Sequence, residues 1–213
     1  MKFAKIVISI TLPIFILMLF ASLLTTREYL YVSEGKYSSH EEIEFDHKYV
    51  SDRVMGYLNY RYDDLLIGKD AESTEVIFSQ TEIRHMKDVK NLYTSLRIVA
   101  LLSLIIAVSL MVVVYKKDKN QLFEVLKFIY VGPIIFIIML GVGMAIDFQG
   151  IFTIFHQLFF TNDDWILYST DPLIQLLPTN FWMVSAFIIL VLFGLTLGLI
   201  SYLSNRFMKK QVT

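Results

Sequence analysis

Apolar and polar positions along the chain are sorted into long blocks. Four blocks contain no Asp, Glu, Lys, Arg or His: Ile6–Leu24, Ile98–Tyr115, Phe128–Ile146 and Phe181–Leu203, of 19, 18, 19 and 23 residues. A hydrocarbon layer ~30 Å thick takes ~20 residues of helix, so each block can span it, the second with help from flanking Leu92 and Tyr93. A buried soluble helix of this length would keep a polar stripe, and none of the four has one. The pattern predicts four membrane-spanning helices. Lys2, Lys5 and the small pair Ala21-Ser22 also give the first block some features of a cleaved leader. Its apolar core exceeds the ~7–15 residues of such leaders, which favours a retained span. Pro13 and Pro133 lie inside spans, where neighbouring groups can satisfy the carbonyls they free. Gly141 with Gly143, and Gly194 with Gly198, predict close helix packing and nothing more.

Between the spans the polar segments have patterns of their own. Tyr29-Leu-Tyr-Val32 has β-type composition. From about Asp46, the residues Val50, Val54, Tyr57, Leu58 and Arg61 recur at helical spacing and predict an amphipathic helix over the membrane-side surface. Val76-Ile-Phe78 reads as a short strand or extended turn. Ser79 and Glu82 form a capping box, with Phe78 and Ile83 placed as a hydrophobic staple. No Gly or Pro follows until well past Tyr115, so one helix should start at Gln80 and run through the second span. His85 would lie roughly 20 Å along that helix before Ile98. Further on, Ile151–Phe160 is too short to span, and it places Phe152, Phe155, His156 and Phe159 at i, i+3, i+4 and i+7. That spacing predicts an interfacial helix lying against a bilayer. Trp165 and Tyr168, which follow, suit an aromatic belt.

Charge gives this layout a direction. The chain of 213 residues holds 19 Lys/Arg and 20 Asp/Glu, for a net charge of −1. With the N-terminus inside, the cytoplasmic pieces carry nine basic residues against two acidic ones, Asp118 and Glu124. The opposite side carries ten basic against eighteen acidic residues, and its loop 147–180 has four Asp and no Lys or Arg. The near-neutral total is thus two opposed sums, and both termini are expected in the cytoplasm. The expected fold class is a polytopic α-helical membrane protein, four transmembrane helices with a small mixed extracytoplasmic cap domain. Its expected parts are a cytoplasmic N-terminus with the first span (1–25), the cap (26–94), the second span (95–115), a cytoplasmic loop (116–127), the third span (128–146), an extracytoplasmic loop with its interfacial helix (147–180), the fourth span (181–204) and a cytoplasmic tail (205–213).

Composition removes several kinds of chemistry. Hydrophobic residues make up 55% of the chain and charged residues 18%, below the roughly 25% of soluble domains. The mean hydropathy of +0.57 agrees with that class. Near-neutral charge argues against a nucleic-acid partner. The absence of cysteine excludes disulfides, thiolate metal sites and a thiol nucleophile. No GxSxG elbow, HExxH helix, Gly-rich phosphate loop or His-x4-Asp box is present. The spans hold no ionisable side chain, which argues against a transporter or proton relay.

Four histidines remain: His40, His47, His85 and His156, all on the expected outer side. His40 and His47 sit in polar surroundings and read as solvated side chains. His156 lies in an apolar, aromatic decapeptide and needs a partner. His85 shares a helical face with Asp88, which could orient its ring. The two form a candidate acid–base pair. His85, Asp88 and His156 also fit a two-His, one-carboxylate metal site as an alternative.

The segments Glu82-Ile-Arg-His-Met-Lys-Asp-Val-Lys90 and Phe155-His-Gln-Leu-Phe-Phe…Asn162-Asp-Asp-Trp165…Asp171-Pro-Leu-Ile…Pro178, set in a four-span frame, resemble the bacterial lipoprotein intramolecular transacylases. The resemblance covers nearly the whole chain in architecture and is specific in those two segments. It implies a cell-membrane acyltransferase acting on a diacylated lipoprotein, embedded in membrane lipid and without a cofactor. The sn-2 acyl chain would move to the α-amino group of the N-terminal cysteine, leaving an N-acyl, S-monoacylglyceryl (lyso-form) product. By position the family's two catalytic histidines match His85 and His156. Imidazoles suit aminolysis of an ester, which needs both a base and an acid near neutral pH. Asp88 makes His85 the expected base. Asp88, Phe152, Phe155, Phe159, Asn162, Trp165, Tyr168 and Asp171 are the expected substrate contacts. Competing readings are a non-catalytic membrane sensor or assembly factor responding to pH or metal, and a zinc-dependent membrane enzyme.

Overall fold

The computed structural model describes residues 2–23, 26, 29 and 45–210. Among them run α1 (Lys2–Leu23), α2 (His47–Leu58), α3 (Gln80–Lys117), α4 (Lys119–Lys127), α5 (Val131–Ile146), α6 (Phe148–Phe159), α7 (Pro172–Leu176) and α8 (Thr179–Lys209). Four stretches, Lys2–Ser22, Gln80–Lys117, Lys119–Ile146 and Thr179–Lys209, are long and apolar enough to cross a membrane. The chain is a helical, multi-pass membrane protein. It divides into two compact units. One comprises Met1–Ala21, Leu96–Ile146 and Phe187–Thr213, the other Ser22–Ser95 and Asp147–Ala186.

The first unit is held together by aliphatic packing. Ile8, Val114, Leu122 and Val125 form one buried cluster, and Ile16, Ile129, Phe193 and Leu197 another. Its outer faces are apolar as well: Ile135 is 67% and Leu195 66% exposed, which suits contact with acyl chains. The third span is not one continuous helix. Phe128–Tyr130 form a turn between α4 and α5, and Pro133 falls in the first turn of α5. A proline is tolerated there because the first amides of a helix have no intrahelical acceptor. Near the turn, the Ser201 hydroxyl donates to the Lys127 carbonyl at 2.5 Å, satisfying an acceptor at the end of α4.

The second unit has a single core. Val50, Val54, Tyr57 and Leu58 of α2 pack with Leu65, Ile67, Phe78, Met86 of α3, Leu173 and Leu176 of α7, and Phe181. The apolar stripe of α2, expected to cover the membrane-side surface, is thus used on this core. Asp46 caps α2 by accepting the Tyr49 amide at 3.0 Å. At its other end Tyr60 takes a left-handed φ of 60°, while the Arg61 amide returns to the Gly56 carbonyl at 2.8 Å. A Cβ on Gly56 would meet the Tyr62 ring at 2.4 Å, so only glycine lets this turn close. The Lys90 ammonium lies 3.9 Å from the Tyr57 ring centre and 4.5 Å from that of Tyr60, pinning the turn to α3.

No strand forms among the described residues, which corrects the mixed composition expected between 26 and 94 to helix and loop there. Val76-Ile77-Phe78 forms no strand and bends at Phe78. Ile77 makes one ladder-like bond, to the Ile67 carbonyl at 3.0 Å, and Phe78 turns into the core. Leu30–Val32 and His40 lie outside the described residues.

A buried histidine pair as candidate active site

The start of α3 is set by the capping box: the Ser79 amide donates to Glu82 Oε2 at 2.7 Å, and the Glu82 amide to Ser79 Oγ at 3.3 Å. That start brings His85 into the second turn of the helix. The start of α6 is set by Asp147, which accepts the Gly150 amide at 2.8 Å. A Cβ at Gly150 would lie 2.2 Å from the capping carboxylate, so glycine permits the cap. Two turns on, α6 presents His156. The imidazoles of His85 and His156 lie 5.9 Å apart between ring centres, and both are buried.

Aromatic rings enclose the pair. Phe160 stands against both, 5.2 Å from His85 and 5.5 Å from His156. Phe152 lies 4.2 Å, Trp165 5.0 Å and Phe155 5.5 Å from the His156 ring. His156 Nδ1 is 2.7 Å from the Phe152 carbonyl oxygen. A carbonyl can only accept, so Nδ1 carries the proton. The neutral ring therefore keeps its lone pair on Nε2. His85 Nδ1 is buried with no hydrogen-bond partner among the described residues.

Both rings are disposed to be neutral. Burial first, and then the neighbouring His156, bring His85 down to about 4 against the opposing pull of Asp88 and Asp164. Burial also lowers His156, against the opposing pull of the Phe152 carbonyl. Taking an imidazolium out of water costs more than these distant carboxylates return. Asp88 raises His85, as expected, but the net shift of the ring is downward.

Polar links tie α3 to the segment that follows α6. Arg84 grips Asp164 with two bonds, Nε to Oδ2 at 2.8 Å and a terminal nitrogen to Oδ1 at 2.7 Å. This bond pulls Asp164 below the usual carboxylate range. Asn162 donates to Asp88 Oδ2 at 2.8 Å and accepts the Asp164 amide at 3.1 Å. Glu82, 1% exposed, uses its second oxygen to accept the Leu173 amide in the first turn of α7 at 2.9 Å. Beside the pair opens a cavity of about 290 Å³ lined on α3 by Asp88, Asn91, Leu92 and Ser95, and otherwise by Phe159, Phe160, Thr161 and Asn162.

Of the residues expected at the site, His85, His156, Phe152, Phe155 and Trp165 come together around the rings. Asp88, Asn162 and Phe159 line the adjoining cavity. Tyr168 and Asp171 do not join them. Tyr168 is 77% exposed, and its amide donates to the Asp171 carboxylate at 2.7 Å, closing the turn before α7. His47 opens α2 with its ring 4.3 Å from Phe45. Among the described residues no three His, Cys, Asp or Glu side chains are grouped to hold a metal ion. Sequence reasoning missed Phe160, Arg84, Asp164 and the second role of Glu82. Only Phe160 had a local signal, its place four residues after His156 in the same aromatic run.

The family described as lipoprotein intramolecular transacylase Lit matches residues 6–182. Among solved structures, the chain is similar to the membrane integral lipoprotein intramolecular transacylase Lit from Bacillus cereus. The TM-score is 0.76 at 24% identity, over 100% of this chain and 98% of that one. Two variants of that protein, each with one histidine replaced, match as well. The alanine variant gives a TM-score of 0.72 at 25% identity, over 99% of this chain and 94% of that one. The arginine variant gives 0.68 at 25% identity, over 99% and 92%. No curated protein matches.

Proposed function

The chain belongs to the lipoprotein intramolecular transacylase family, whose members are acyltransferases, and from that premise we propose a reaction for its histidine pair. The substrate is a lipoprotein whose N-terminal cysteine carries a diacylglyceryl thioether and a free α-amino group. The sn-2 acyl chain moves to that amine within one molecule. The observation that carries this reading is the buried pair itself: two imidazoles 5.9 Å apart, one of them bonded through Nδ1 to a backbone carbonyl.

The unprotonated α-amine attacks the sn-2 ester carbonyl. His156 Nε2, holding a lone pair, takes the proton that the nitrogen loses as the C–N bond forms. The carbonyl oxygen gains negative charge, and an N–H of neutral His85 donates to it. Collapse breaks the bond from carbon to the glyceryl oxygen, which receives from His156 the proton that the amine gave up. The products are an amide and a free sn-2 hydroxyl. Base and acid roles of this kind are worth ~10²–10⁴-fold. An oxyanion donor is worth ~10²–10³-fold. Donor and acceptor share one molecule, so holding it bent removes an encounter step. Phe152, Phe155, Phe159 and Trp165 supply walls for the glyceryl and acyl parts, and Asp88 and Asn162 supply polar contacts beside them.

The same proposal sets the orientation. Nine basic residues against two acidic ones support cytoplasmic termini and a site at the outer membrane–water interface. The flank of α6 facing away from His156 is apolar and open, with Ile154 60% and Leu158 74% exposed, which supports an interfacial position. Tyr168 is an anchor at that level.

The reaction is an isomerisation, so the intact mass of the substrate does not change. Fragmentation by tandem mass spectrometry locates the acyl chain instead. A mixture of one lipopeptide with deuterated acyl chains and peptide and another unlabelled in both tests the transfer. N-acyl fragments that keep their parent's label support intramolecular transfer. Crossed labels, or no N-acyl fragment, contradict it.

A further inference from the structure

The cavity beside the histidine pair is not built for an acyl chain. Asp88, Asn91 and Ser95 follow one another down one face of α3, and Thr161 and Asn162 stand among its other walls. A chain of methylenes there would meet Leu92, Phe159 and Phe160 but would also desolvate a carboxylate and two amides. No Lys or Arg lines it, so it is also unsuited to a lipid phosphate. One of its walls is Phe160, the ring that stands against both imidazoles, so the cavity adjoins the reacting groups.

The groups it leaves free define what would fit. Asn162 is engaged on both sides of its amide, and the Ser95 hydroxyl is turned back to the Asn91 carbonyl at 3.0 Å. The Asn91 carboxamide and the Thr161 hydroxyl have no partner among the described residues, and Asp88 uses only Oδ2. One carboxylate oxygen asks for a donor. A carboxamide and a hydroxyl offer donors and acceptors at mixed spacing, which matches the alternating N–H and C=O groups of an extended peptide. At about 290 Å³ the space holds a short segment.

We propose that this cavity receives the first peptide units after the lipidated cysteine, and that Asn91, Thr161 and Asp88 decide which lipoproteins are accepted. The inference rests on the transacylase reading above. Asn91 and Thr161 bond the peptide backbone. The Asp88 charge excludes an acidic side chain next to the cysteine by repulsion rather than by lost contact.

The test uses the full chain in detergent micelles with synthetic S-diacylglyceryl lipopeptides. One series places Ser, Asp or Trp after the cysteine, and a shortened substrate ends as the cysteine amide. The quantity read is kcat/KM for each lipopeptide relative to the amide. The unaltered protein should prefer the Ser peptide to the amide, and should handle the Asp peptide worst. In Asn91→Leu and Thr161→Val the preference for the Ser peptide should shrink by a factor of about 2–10 each, the worth of one hydrogen bond, through KM. Equal kcat/KM for the Ser, Asp and amide substrates in the unaltered protein would overturn the inference even where a variant failed to fold. So would an unchanged preference in both variants. Failure of the unaltered protein to convert any substrate would instead remove the transacylase reading, and this inference with it.

Discussion

The two units of the chain cohere by different means. The first, with Ile8, Val114, Leu122, Ile129, Phe193 and Leu197 at its centre, is joined by aliphatic contacts that many similar side chains could replace. Its described polar contacts are sparse, such as Lys5 to Glu124 at 3.4 Å near the surface. The second is crossed by links between residues distant in sequence: Arg84 to Asp164, Asn162 to Asp88, Glu82 to the Leu173 amide. Dispersion holds helices together without choosing a register to within an ångström, whereas directed hydrogen bonds do choose one. A pair of imidazoles that must address one amine and one ester needs the second kind of order.

The contrast can be broken at several strengths. The largest effect should come from His156→Ala, which removes the base and should lower turnover by ~10²–10⁴-fold while the helical content stays the same. Circular dichroism beside the conversion assay separates the two. A pH series should come next. Both histidines are held below the ordinary imidazole value, so from pH 7 to pH 6 activity should fall only as the substrate's α-amine, ordinarily ~7.7–8.0, takes up its proton, without the further loss a solvated imidazole would add. At lower pH the fall should steepen as the rings take up protons. The same depression has a stability counterpart. An unfolded His85 binds a proton near 6.5 and the folded one only near about 4, so its contribution to stability declines as pH falls through that window and levels off below it.

Glu82→Ala should act on structure rather than on chemistry. It leaves the Ser79 and Leu173 amides without their acceptor, a loss of about 1–3 kcal/mol in the second unit. Hydrogen exchange should then quicken at the Leu173 amide, while that of Val114 in the first unit stays unchanged. Ser201→Ala tests the corresponding single link in the first unit. Its cost should be smaller, about 0.6 kcal/mol, as for other bonds between membrane helices, visible as a slight fall in unfolding temperature. Exposed Ile135→Leu should change neither stability nor turnover measurably. A large effect there would contradict the account of the first unit.

The same contrast explains what could be read from residue order. Charge-free blocks announce spans because lipid imposes one rule on every residue of a helix. The capping box announced the start of α3 at Gln80, since Ser79 and Glu82 are three residues apart and interact locally. The aromatic spacing around His156 announced α6, and the helix spacing of His85 and Asp88 was legible too. The partner of Asp88 was not: it is Asn162, 74 positions away, and no local pattern encodes such a bond. Arg84 and Asp164 are 80 positions apart and were missed for the same reason. The break at Phe128–Tyr130 was hidden because its residues are as apolar as the helices on either side. Tyr168 was expected at the site as one of the aromatic set, and Asp171 from the resemblance. The chain turns between them, and that turn uses the Asp171 carboxylate.

The central claim is that the buried imidazole pair carries the transfer. It is tested most directly by tandem mass spectrometry of a diacylglyceryl lipopeptide incubated with the unaltered protein, with His85→Ala and with His156→Ala, each confirmed as folded. The account predicts an N-acyl cysteine fragment from the unaltered protein and its loss from both variants. Equal yields of that fragment from all three proteins would contradict it.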